Sequence, residues 1–149
     1  MKIRMGFVSN SSSSSFVVID TTGNYCDIPL QLSKKELLVG RNLGETEFGW
    51  GQEVLYDCGS RINFAYIQAT YMNNQEWLQM LEEVIKKNSK VETIKMLISE
   101  DYDSDNWGYI DHQSSALEGV NTEMFVDKME LKYFLFGEKS KIVLDNDNH

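Results

Sequence analysis

The apolar spacing of this chain predicts an α/β or α+β fold: a single small domain in which a short sheet of about four strands carries three to four helices. Three observations lead there. Apolar, β-branched runs bounded by turn residues occur at Phe16–Asp20, Glu92–Ser99 and Lys141–Leu144. Two intervening segments, Ser60–Met72 and Gln75–Lys87, repeat apolar residues every three or four positions, the period of a helix face. The 149 residues are 42 % hydrophobic and 25 % charged, which suits one globular domain with a sizeable core.

Residues 1–15 read as a serine-rich N-terminal lead-in, and residues 16–149 as the domain. The lead-in contains five consecutive serines, Ser11–Ser15. A solvated low-complexity stretch is one reading. An anion-binding turn is the other, although the glycines and lysine of a phosphate loop are missing. Phe16-Val17-Val18-Ile19 then forms a strand closed by the turn residues Thr21–Asn24. Leu32–Gly40 reads as a short helix, with Ser33 as N-cap, Glu36 completing a capping box and Gly40 ending it. Gly44–Gly51 is a glycine-rich loop whose Phe48 and Trp50 either fold back on the core or form a binding lip.

In the first long helix, Ser60–Met72, the core face is Ile62, Ala65, Tyr66, Ala69 and Met72. Asn73-Asn74 breaks it. The second, Gln75–Lys87, faces inward with Trp77, Met80, Leu81, Val84 and Ile85, and its lysines come late, as the helix dipole favours. The short break between them implies an antiparallel helix pair. Glu92–Ser99 is a strand, Glu100–Asn106 an acidic turn and Gly108–Gln113 a further strand. A polar stretch, Ser114–Glu123, leads to a long helix over Met124–Phe136, ended by Gly137, with Leu131, Phe134 and Leu135 inside. Lys141–Leu144 is the last strand, followed by the polar tail Asp145–His149.

Charge restricts the partners. Fourteen basic residues against 23 acidic ones give a net charge of −9. Such a surface repels nucleic acid and anionic lipid, so neither direct nucleic-acid binding nor a membrane is expected. It attracts a protein with a basic surface. The two cysteines, Cys26 and Cys58, lie 32 positions apart and form neither a zinc signature nor a disulfide framework. Reduced thiols in a cytoplasmic protein are the expectation. No apolar run reaches membrane-spanning length.

The densest chemistry lies at Trp107–Ser115, which sets Asp111 and His112 beside Gln113 and Ser114. Together with Asp145 and Asp147 these form a candidate polar site. An extended backbone puts Asp111 and Gln113 on one face, with His112 and Ser114 on the other. A Ser–His couple is therefore conceivable, but no third group completes it. Upstream, Asp101, Asp103 and Asp105 match the opening of a calcium loop. Asn106 stands where that loop needs glycine and His112 where it needs glutamate, which argues against an EF-hand. A looser divalent site that adds Asp145 or Asp147 is the alternative, and an acidic solvated turn with no metal is the preferred reading. Trp50, Tyr102, Trp107 and Tyr109 lie in or beside loops and form a candidate protein interface.

Several pieces resemble small uncharacterised phage and prophage proteins. They are the opening Gly6-Phe7-Val8-Ser9-Asn10 with Ser11–Ser15 and Phe16, the segment Tyr109-Ile110-Asp111-His112-Gln113-Ser114-Ser115, Phe48–Gly51, and Leu131–Phe136 with Asp145–Asn148. The resemblance implies a phage or mobile-element setting in a bacterial cytoplasm and carries over no catalytic residue. Two functions are consistent with these residues. One is a non-enzymatic accessory protein that binds a host protein, for example a defence-system nuclease, through its acidic surface. The other is a small-ligand or nucleotide binder or hydrolase using the polar cluster around Asp111 and His112. The first is preferred, with no cofactor.

Overall fold

The computed structural model describes residues 13–48, 52–110 and 120–146. Its central element is a helix with a single charge. Helix α1 spans Cys58–Tyr71, and Arg61 is its only charged residue. Asp57 caps it, accepting the Ser60 N–H at 2.9 Å. Every residue from Cys58 to Ala69 is buried. The helix is covered on all sides, its polar residues included. Sequence spacing assigns it one core face; the structure buries Ser60, Arg61, Asn63 and Gln68 as well. Met72, expected inside, is instead largely exposed just beyond the helix.

The other helices and the sheets provide that cover. Helix α2, Gln75–Lys87, follows after a break in which Asn73 takes the left-handed conformation (φ 50°). Asn74 caps it through the Trp77 N–H at 3.1 Å, and it buries Leu81, Val84 and Ile85 against α1. Helix α3, Lys128–Phe136, is capped by Asp127 through the Glu130 N–H at 2.8 Å and packs on both α1 and α2. Phe64 of α1 meets Phe134 of α3 and Phe48 edge-on, with ring centres 6.5 and 5.1 Å apart. Trp77 stacks on Phe125 at 4.4 Å.

The strands fall into an antiparallel and a parallel group. Strand β1 (Ser13–Val18), β7 (Lys141–Asn146) and β4 (Glu53–Leu55) form a three-stranded antiparallel sheet with β7 in the middle. Strand β2 (Glu36–Val39) pairs in parallel with β5 (Thr93–Met96), and β3 (Glu47–Phe48) in parallel with β6 (Tyr109–Ile110). An isolated parallel bridge, Ser99 to Trp107, connects those two pairs. Helix α1 packs against β2 and β6. The result is a single small α+β domain, as the sequence predicts, with its pairing spread over short strands. No described helix is long and apolar enough to cross a membrane.

Three expectations need correction. Leu32–Gly40 is not a helix. A 3-10 turn, Leu30–Ser33, runs into strand β2, which buries Leu37 and Val39 and exposes Glu36 and Leu38. Ser33 donates its hydroxyl to the Leu30 carbonyl and caps nothing. The period-2 burial and the β5 partner outweigh a local capping pattern. Gly40 ends no helix either; its bare Cα admits the side-chain oxygen of Asn106, which a Cβ would strike. The long helix over Met124–Phe136 is two pieces, a 3-10 segment Val120–Phe125 and α3, because Asp127 takes an extended conformation and caps the second. The last strand also outruns its expected end. Asp145 and Asn146 belong to β7 opposite Ser14 and Ser13, so the end of the serine run is strand backbone.

The packing at the start of α1 generates a test. Gly59 lies so close to the Leu43 carbonyl oxygen that any Cβ would collide with backbone. Gly59→Ala is expected to lower the unfolding free energy by about 3 kcal/mol in urea titration, through overpacking that a rigid carbonyl cannot relieve.

Candidate functional site

Two groupings of chemically capable side chains stand out. The first is the loop from Ser99 to Tyr109, joining β5 to β6. Its turns close on their own side chains. Ser99 Oγ accepts the Asp101 N–H at 3.0 Å, Asp101 Oδ1 the Asp103 N–H at 3.0 Å, and Ser104 Oγ the Asn106 N–H at 3.0 Å. Such short polar side chains bonding two residues ahead are what Ser and Asp do best in turns. Backbone bonds between Ser99 and Asn106 and between Gly108 and Ser99, both 2.9 Å, close the base. Asn106 Oδ1 accepts the Arg41 N–H at 2.8 Å, which ties the loop to the end of β2.

On this frame three rings stand in a row. Tyr102 meets Trp107 edge-on at 4.8 Å, and Trp107 stacks on Tyr109 at 5.2 Å. Tyr102 is 75 % exposed. Glu100, Asp101, Asp103 and Asp105 are exposed around the stack. Glu47, beside Tyr109 in register, is held by Arg41 at 3.0 Å. The calcium-loop pattern thus folds as a turn in which Asp101 caps backbone. Among the described residues no group of three His, Cys, Asp or Glu side chains is placed to hold a metal ion.

The structure places the other sequence-predicted residues as follows. Tyr102, Trp107 and Tyr109 come together as one aromatic row. Asp145 lies in β7 opposite Ser14. Trp50, Asp111, His112, Gln113, Ser114 and Asp147 lie outside the described residues. Phe48, from the same glycine-rich loop as Trp50, is fully buried against Phe64 and so belongs to the core.

The second grouping was not singled out from the sequence. Arg61 is 1 % exposed, yet no described carboxylate pairs with it. Its Nη1 donates to the carbonyls of Phe134 (2.9 Å) and Gly137 (2.6 Å), at the C-terminal end of α3. Its Nη2 donates to Cys26 Sγ at 3.6 Å, and its Nε has no hydrogen-bond partner among the described residues. Cys26 is half-buried, and its N–H donates to the Phe136 carbonyl at 2.8 Å. The neighbouring bridge between Tyr25 and Gly137, with Tyr25 stacked on Tyr133, holds this segment against α3. Cys58, in the first turn of α1, is buried one turn before Arg61 on the same helix.

The two thiols are driven apart in acidity. A hydrogen bond from Cys58 lowers Cys26 to about 6, with further lowering by the Arg61 charge and hydrogen bond against the opposing cost of burial. Cys58 moves up, because its proton is shared with Cys26 and because it is buried. Cys26 is therefore the more acidic thiol, the one favoured as thiolate beside Arg61, and Cys58 the less acidic one. No spacing motif marks this cluster in the sequence; once Arg61 is buried in α1 it needs acceptors, and those come from distant segments.

The acidity of Cys26 has a stability consequence. Its folded-state value lies below the ordinary 9.0, so between about 6 and 9 the unfolded chain binds the extra proton. Stability from this group is complete above the ordinary thiol value and is lost as pH falls through about 6. Cys58, shifted upward, keeps its proton throughout that window. Urea midpoints of the native protein and Cys26→Ser are expected to diverge as pH rises across the window, the native chain gaining. A pH-independent difference would remove the thiolate assignment.

Comparison of this chain with protein-family models, with curated proteins and with solved structures gives no match in any of the three.

Proposed function

We propose that this protein is a non-enzymatic binding module, a phage or mobile-element accessory protein that engages a basic surface on a host protein. The observation that carries this reading is the Tyr102–Trp107–Tyr109 row held on a self-closed loop among four exposed acidic residues. Tyrosine and tryptophan bury much area for little lost rotamer entropy, which suits them to anchor an interface. The loop loses little further freedom on binding, because its own hydrogen bonds already order it. The surrounding carboxylates add to a net charge of −9 and favour a cationic partner by complementarity. A nucleic-acid-binding enzyme such as a defence nuclease has a surface of that sign.

The test is affinity capture from a bacterial lysate at low salt, with the native chain compared against Tyr102→Ala and against the triple change Asp101→Asn, Asp103→Asn and Asp105→Asn. The expected result is a basic protein retained by the native chain and released as salt rises. Once that protein is purified, each variant should bind it roughly tenfold more weakly. Capture that is indifferent to salt and to both variants would refute the assignment of this surface.

A further inference from the structure

We infer that Cys26 is a peroxide-reactive modification site whose oxidised form, a sulfenate, is held by the buried guanidinium of Arg61. One short stretch of chain, the C-terminal end of α3, places both groups. Arg61 Nη1 donates to the carbonyls of Phe134 (2.9 Å) and Gly137 (2.6 Å). Cys26 is set from the same stretch. Its N–H donates to the Phe136 carbonyl at 2.8 Å, and the preceding residue, Tyr25, bridges to Gly137 and stacks on Tyr133. With Nη1 fixed in this way, Nη2 reaches Cys26 Sγ at 3.6 Å. Cys26 is half-buried and so open to a small oxidant, whereas Arg61 is interior.

The guanidinium offers more than its contact with sulfur uses. A planar guanidinium presents Nε and Nη2 along one edge as parallel donors, the fork that receives an oxyanion. Here Nη2 meets Cys26 Sγ, while Nε, on the same edge, has no hydrogen-bond partner among the described residues. No described carboxylate pairs with the group, and a buried charged donor calls for an acceptor. An oxygen added to Cys26 Sγ supplies an anionic acceptor beside that edge. A neighbouring arginine also favours the thiolate over the thiol, and the thiolate is the form that peroxide oxidises. The contact with Arg61 thus favours both the reaction and its product.

The step balances with hydrogen peroxide as the oxidant. Cys26 releases its proton to solvent, and its sulfur attacks one peroxide oxygen. A sulfur–oxygen bond forms and the O–O bond breaks. The departing hydroxide keeps the electron pair and takes a proton from solvent to become water. The oxygen left on sulfur sheds its proton and remains as the sulfenate. Sulfur loses two electrons and the peroxide gains them. Arg61 then donates to the new oxygen from Nε and Nη2. Cys58 is buried, so the oxidant does not reach it. A sulfenate is reversible by thiols, which makes the modification a switch and not a lesion.

The probe is hydrogen peroxide, applied to the folded full-length chain with and without dimedone, a trap for sulfenic acids, and read by peptide mapping. The expected product is one oxygen gained on Cys26, captured by dimedone and removed by dithiothreitol, with Cys58 unmodified. The same chain unfolded in urea is the comparison. There both cysteines should react alike; folding should speed Cys26 about tenfold at neutral pH and protect Cys58. Burial alone slows a thiol, so a Cys26 that reacts more slowly folded than unfolded would overturn the inference. Oxidation of Cys58 first would do the same, as would a loss of two hydrogens in place of the oxygen gain. Arg61→Lys keeps the charge and loses the fork, so its sulfenate should pass on to sulfinate sooner than in the native chain. Equal persistence in that variant, folded by circular dichroism, would remove the role of Arg61. Where the variant does not fold, the two rates on the native chain decide. The acidic loop plays no part in this chemistry, so its success or failure is independent of the binding function.

Discussion

A guanidinium without water must find acceptors, and in this protein that requirement organises the centre. Arg61 projects from α1 into the core and meets the carbonyls of Phe134 and Gly137. These lie at the end of α3, where carbonyls lack intrahelical donors and the helix dipole is negative. One side chain thereby bonds two carbonyls at that helix end and fixes α3 against α1. Loss of such partners would leave a buried charge exposed to a cost of several kcal/mol. The third acceptor, Cys26 Sγ, brings the segment before β2 into the same knot. Core aromatics then close around it, with Phe64 between Phe48 and Phe134.

A second clamp holds the same corner from outside. Ser140 Oγ accepts the Asp20 N–H at 2.8 Å and donates to the Tyr133 carbonyl at 2.7 Å. Asp20 in turn accepts the N–H groups of Thr22 and Lys139, which hold its carboxyl below the usual range. The end of β1 and the turn from α3 into β7 are thus fastened by short polar side chains, while β7 pairs with β1 and β4 on either side.

The acidic loop sits at the other sheet group. It is attached to β5 and β6 by backbone bonds and to the end of β2 by Asn106 and Arg41. Its aromatic row has a firm base and an exposed tip, while the Arg61 region is interior. The loop presents aromatic area and charge outward, whereas Arg61 lies in the core.

Local physics made much of this legible from sequence. Helix α2 is read to its boundaries because its cap, its apolar stripe and its charge order are all local and agree. The core of β5 and the turn at Glu100–Asn106 follow for the same reason. The acidic, aromatic character of the loop is plain in its residues. Where local signals conflict with partners far along the chain, sequence reasoning fails. Ser33 and Glu36 mimic a capping box, but pairing with β5, more than fifty positions away, makes a strand of Glu36–Val39. Asp145 looks like a tail until β1 supplies hydrogen bonds to its backbone. The Cys26–Arg61–Cys58 cluster carries no spacing motif, since its members come from separate elements. The sequence alone determined the fold class, the helices with a solvated face, the strong negative charge and the acidic turn, because each depends on residues within one or two turns of chain. Tertiary structure decided which strands pair, what shields the charge of α1 and which thiol is the more acidic, because desolvation and hydrogen bonding depend on neighbours that only the folded chain brings together.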